Sequence, residues 1–258
     1  MSLGCHSAGT VYALDMLLHH PEILRPDRPY LAIGAPWVLP SHTSSTALAA
    51  VQSLPAGVVG QTDKLARLIN NHIGPSLGIC FGFSASLIAS CMPATPKDAN
   101  RPELREGTER EEELWPEMLR HIYADPVKGL GEDAVMLLQK ASAKSGWSDW
   151  GDYDLLVPKL VEALRTAGRR LTVDVFYAEN DFLIGDAGSK GPRWFDQCWS
   201  VPEYGDVIEY SQTTVQGADH DRMWNLRWGA AQTALERVGA GELAQPLEDA
   251  VGEHRGES

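Results

Sequence analysis

Cysteine is scarce in this 258-residue sequence: Cys5, Cys80, Cys91 and Cys198 are the only four, and no two form a CxxC pair. Such spacing argues against a disulfide scaffold and against a zinc site. An HExxH or comparable ligand cluster is also missing, so a metallohydrolase would have nothing to hold its ion; no metal and no other cofactor is expected. Positive charge is in deficit, with 22 Lys and Arg against 35 Asp and Glu and a formal net charge of -13. Phosphate-backbone recognition depends on Lys and Arg, so nucleic acid is not expected as a partner. Docking on anionic lipid is disfavoured for the same reason. The start, Met1 to Gly9, has neither the basic residues nor the apolar stretch of a secretory signal. A reducing, cytoplasmic setting is therefore the default expectation.

Hydrophobic residues at 43% and charged residues at 22% are ordinary globular values, and the length suits one domain with an insertion. One uncharged run, Ile73 to Thr95, is long enough for a membrane span. Gly74, Gly78, Gly82, Ser86 and Ser90 recur in it every fourth residue, forming a small-residue ridge on one helix face. Pro75, Pro93 and the many serines keep its hydropathy modest, so a closely packed buried helix is expected in place of a span.

The pattern along the chain alternates. Ser2 to Cys5 is a short apolar start running into a Ser-Ala-Gly turn. Thr10 to His20 then has Val11, Leu14, Leu17 and Leu18 at helical spacing, stopped by Pro21. Tyr30 to Ala35 reads as a buried strand, and Pro40 to about Gly168 is helical in texture. Within that stretch Glu103 to Glu117 is a charge run of the kind that makes a solvated face. Asp154 to Ala167 is an amphipathic helix, Leu171 to Tyr177 a strand, and Trp194 to Trp199 a short helix. Val207 to Val215 reads as strand, and Asp221 to Val238 as helix. Such alternation predicts an α/β fold with a mostly parallel sheet. The expected division is a core of residues 1–40 and 151–238, a helical lid of residues 41–150 after the second strand, and a flexible tail of residues 239–258.

Parallel sheets place ligands at the carboxyl ends of their strands. The first such end is Cys5-His6-Ser7-Ala8-Gly9, a serine on a sharp strand-to-helix turn. The helix behind it presents backbone N–H groups and a positive dipole end to a developing oxyanion. Small residues are expected at Cys5 and Gly9, where strand and helix pass close. The Cys5 sulfur would lie at the strand end and not at the apex, which fits packing and not nucleophilic attack. A serine nucleophile needs a base and an orienting carboxylate. Of the eight histidines only His220 follows a strand and precedes a helix, while His6 adjoins the serine with its side chain expected to turn away. For the carboxylate, Asp181 lies just past the strand ending at Tyr177. Asp186 is the fallback, Glu179 a weaker option, and Asp174 lies mid-strand.

In the order Ser…Asp…His, each at a strand end, the sequence resembles the α/β-hydrolase superfamily, and within it the lid-bearing serine hydrolases of fungal type. The residues carrying the resemblance are Cys5 to Gly9, Ile33 to Val38, Tyr177 to Asp181 and Gly217 to His220. It implies Ser7 as nucleophile, Asp181 as acid and His220 as base, with the Ala8 N–H as one oxyanion donor. It implies a hydrolase of esters, thioesters or lactones working through an acyl-enzyme. Trp37, Trp147 and Trp150 are candidate contacts for an apolar small-molecule acyl substrate. The departures are Cys5 where glycine is usual, and a nucleophile strand that begins at residue 2. On that pattern the chain corresponds to the C-terminal part of the fold. It lacks the preceding strands and the second oxyanion donor, which leads to an expectation of poor solubility and little activity. The alternative reading is a catalytically silent binding module or an inactive fragment. An epoxide or haloalkane hydrolase would need aspartate where Ser7 stands.

Overall fold

The structure, a computed structural model, describes residues 1–61, 64, 107–122, 129–140 and 150–239. The run Ile73 to Thr95 with its small-residue ridge, Trp147 and residues 240–258 lie outside the described residues.

Among the described residues four strands form one parallel sheet in the order β1-β2-β3-β4: β1 Leu3–His6, β2 Tyr30–Gly34, β3 Leu171–Asn180 and β4 Ile208–Asp219. The predicted α/β class with a parallel sheet is the observed one. The helices in chain order are α1 Gly9–His19, α2 Thr46–Ser53, α3 Ala56–Val59, α4 Thr108–Ile122, α5 Leu130–Leu137, α6 Tyr153–Thr166, α7 Lys190–Trp199 and α8 Ala230–Gly239. Among the described residues no helix is long and apolar enough to cross a membrane.

Strand alternation sorts the apolar residues onto two faces. Leu31, Ile33, Val173 and Val175 face a large core with α1, α6 and α7, to which Val11, Leu14, Leu17, Leu156, Leu160 and Phe195 contribute. Tyr30, Ala32, Phe176 and Ala178 face a smaller core that includes Ala230 and Ala234 of α8 and Met223. Both faces of the sheet are thus covered, which explains why β2 and β3 read as nearly continuous apolar runs. Asp174 has a structural role: its carboxylate accepts from Tyr30 Oη (3.0 Å) and Ser211 Oγ (2.6 Å), and Arg237 Nε lies 3.0 Å away.

Two elements differ from expectation. The helix expected over 221–238 covers only 230–239. Its first half is turns and a 3₁₀ turn at Leu226–Trp228, ended by Gly229 at φ 79°. Apolar spacing continues through this segment, but a left-handed glycine breaks the helix. The last strand is also longer than expected. It runs past a register shift opposite Ala178 and Asn180, where β4 carries Gly217 at φ 74°.

Candidate active site

Ser7 occupies the turn between β1 and α1 with φ 50°, a left-handed conformation that costs a non-glycine residue roughly 1–3 kcal/mol. Three main-chain bonds hold it there. Its N–H donates to Gly34 O (2.9 Å), and its carbonyl accepts from Thr10 N (3.0 Å) and Trp37 N (3.1 Å). Gly34 must be glycine at this point, because a Cβ would lie 2.4 Å from the Trp224 indole. Gly9 is under a weaker constraint than its place in the turn suggested: a Cβ there would meet the Cys5 Cβ at an ordinary 3.6 Å.

His220 follows β4, aimed by the irregularity in that strand. Glu179 fastens the irregular segment, its Oε2 accepting from Gly217 N at 2.7 Å. Asp181 follows β3, and its Oδ1 accepts from the N–H groups of Leu183 and Ile184, both at 2.9 Å. Its Oδ2 lies 2.7 Å from His220 Nδ1, and His220 Nε2 lies 2.9 Å from Ser7 Oγ. A proton on Nδ1, donated to the carboxylate, leaves Nε2 to accept from the serine hydroxyl. Asp186 is exposed and lies outside this chain of contacts.

The relay is dry. His220 is fully buried and Asp181 is 2% exposed. Burial alone would lower the His220 pKa, but the Asp181 charge and hydrogen bond, helped by Asp221 and Asp219, outweigh it and raise the value above 6.5. His6 differs from expectation: its ring centroid lies 5.2 Å from that of His220, and its buried Nδ1 has no hydrogen-bond partner among the described residues. Burial, reinforced by the neighbouring His220 charge, pushes its pKa down to about 4. Burial also raises the Cys5 thiol to about 12, which keeps it protonated and unreactive. Phe182 packs edge-on against His220 from the acid loop.

Ala8 precedes α1 in helical conformation, and its N–H is one of the orphan donors at that helix start. The Trp37 ring is buried in the larger core, its Nε1 without a hydrogen-bond partner among the described residues, and Trp150 is half-buried and edge-on to Tyr12. The region between β2 and α6 is fastened to both loops of the relay. On the acid loop, Thr43 and Ser45 hydroxyls donate to Ile184 O and Phe182 O, both at 2.8 Å. Beyond His220, Glu111 of α4 accepts from Leu226 N (2.8 Å), and Glu112 pairs with the buried Arg227 at 2.7 Å. Among the described residues no group of three or more His, Cys, Asp and Glu could hold a metal ion.

Sequence reasoning missed His6 and Glu179 as neighbours of the relay. The signal for Glu179 was its place two residues before Asp181. For His6 there was none, since its contact is made by a loop more than 200 positions away.

No protein-family model matches the chain, and no curated protein matches it. Two crystal structures are similar in outline. One is ClbQ from the colibactin NRPS/PKS pathway, at 14% identity, TM-score 0.37, over 93% of this chain and 70% of that one. The other is an epoxide hydrolase from Vigna radiata, at 13% identity, TM-score 0.45, again over 93% and 70%. At such identities and scores neither match bears on activity.

Proposed function

We propose that this chain is a serine hydrolase that cleaves esters, thioesters or lactones of apolar small molecules through an acyl-enzyme. The observation that carries this reading is the buried relay from Ser7 Oγ through His220 to Asp181, assembled at the carboxyl ends of β1, β3 and β4. Ser7 Oγ bonds to the acyl carbon while its proton passes to His220 Nε2, and Asp181 stabilises the resulting imidazolium. His220 then returns the proton to the departing oxygen or sulfur. Water repeats the sequence on the acyl-Ser7 ester and releases the acid. The oxyanion meets the Ala8 N–H at the positive end of α1.

Residues 41–150 act as a lid in this reading. Their attachment to the loops around Asp181 and His220 supports that role. Trp147 and Trp150 would supply its apolar contacts, with Trp37, buried in the core beneath, bracing them.

A fluorophosphonate probe tests the proposal. Labelling of the chain is expected at Ser7 and lost in Ser7→Ala. Labelling no better than that of Ser7→Ala would overturn it and favour a silent binding module.

A further inference from the structure

We propose that the end of the sheet opposite Ser7 carries a second site, for a phosphate-type dianion, built on Arg28 and Arg170. β2 spans the distance between the two ends. Gly34 accepts the Ser7 N–H at one of them, and Tyr30 lines a groove of about 360 Å³ at the other. The loop entering β2 supplies Arg25 and Arg28, the approach to β3 supplies Arg170, β4 supplies Glu209 and the last turn of α8 supplies Arg237. Four arginines therefore converge in a chain of net charge -13.

Two of them are already engaged. Arg25 forms a two-pronged contact with Asp27 (3.2 and 2.9 Å), and Arg237 Nε lies 3.0 Å from Asp174. The Arg28 N–H bonds the Asp27 carboxylate, but the side chains of Arg28 and Arg170 make no ion pair or hydrogen bond among the described residues. The remaining carboxylate on the groove wall, Glu209, accepts from Thr172 Oγ1 at 3.2 Å. Two guanidiniums thus face one carboxylate, leaving an excess of positive charge. Attraction to the two guanidiniums and repulsion by Glu209 both grow with ligand charge, so the net positive excess favours a dianion that engages both forks over a singly charged ligand. Guanidinium geometry suits the oxygens of a phosphate group, which it can grip in pairs.

The walls are well braced. Pro29 O accepts from Thr172 N at 3.0 Å, and Leu171 N donates to Val207 O at 2.7 Å, which holds the backbone beside both arginines. The volume also leaves room for a small organic group on the phosphate. This site owes nothing to the hydrolase reading.

Calorimetric titration of the full chain with inorganic phosphate, and separately with phenyl phosphate, tests it at fixed ionic strength near pH ~8, where both are dianions. The expected Kd is below ~1 mM, weakened about tenfold or more in the double variant Arg28→Gln/Arg170→Gln. Glu209→Gln is expected to tighten binding, and Ser7→Ala to leave it unchanged. Preference for inorganic phosphate identifies the free ion as the ligand class, and preference for phenyl phosphate identifies an organic phosphomonoester. Both arginines are exposed, so the double variant should keep the fold, as circular dichroism will check. Binding that survives the double variant, or heat no greater than chloride produces, would overturn the proposal.

Discussion

His6 and His220 lie side by side and respond to pH in opposite senses. The folded pKa of His220 is raised above 6.5, so its stabilising contribution is complete below that pH and is lost as pH rises through the folded value. The folded pKa of His6 is lowered to about 4, so its contribution is complete above pH 6.5 and is lost as pH falls towards 4. These two groups alone therefore favour a stability maximum close to pH 6.5. Denaturation midpoints in a pH series, compared with those of His6→Phe, isolate the acid-side loss; an unchanged acid limb in the variant would contradict the assignment. The proposed hydrolase activity would follow a different course, because in that mechanism only neutral His220 takes the Ser7 proton: kcat/KM should rise with pH to a plateau above the His220 pKa. Asp181→Asn removes the charge that raises this pKa, so the midpoint should move down. The plateau should fall by roughly 10³–10⁴, the scale of losing the orienting carboxylate. Gly34→Ala, which drives a methyl into the Trp224 indole, is expected to cost ~1–3 kcal/mol, whereas Gly9→Ala should be tolerated. Thermal melts of the pair decide between them.

At the scale of elements, the site depends on where strands end and on what fastens the loops beyond them. The irregularity in β4, held by Glu179, carries the chain to His220, and the acid loop closes on Asp181 Oδ1 through two N–H groups. Periodicity in the sequence located all four strands and the helices α1 and α6 to within a few residues, because their apolar spacing is set by the faces they bury. It overextended α8, since turn residues between Asp221 and Gly229 happen to keep helical spacing. The sequence put Asp181 first, nearest the strand end, and kept Asp186 as a fallback, because both follow one strand and the course of a loop depends on its tertiary bonds. The Glu112–Arg227 pair joins α4 to the segment after His220. Arg227 is only 5% exposed, so Glu112→Ala would leave a buried guanidinium unpaired. The expected loss is about 3 kcal/mol, the lower end for a broken buried pair because Glu112 itself is part-exposed. A double-mutant cycle with Arg227→Leu measures it, and additive losses would show the pair to be uncoupled.

At the scale of the whole molecule, a net charge of -13 keeps copies apart at neutral pH, and a sequence pI of about 5.0 puts the loss of that repulsion in mild acid. Turbidity at constant protein concentration should peak near pH 5.0 and clear on either side. The charge is unevenly spread, because four arginines from three separated stretches gather at one end of the sheet while the relay occupies the other.

Composition and periodicity by themselves determined the α/β class, the parallel sheet and the short set of candidates that included Ser7, Asp181 and His220. Burial imposes regular spacing, and strand ends in such a sheet face one way. Tertiary structure alone decided which carboxylate meets His220, that His6 packs beside it, and that Arg28 and Arg170 share a groove. Each of those is a contact between segments far apart in the chain. No local pattern encodes such a distance; it follows only from the register of the strands and the paths of the loops between them.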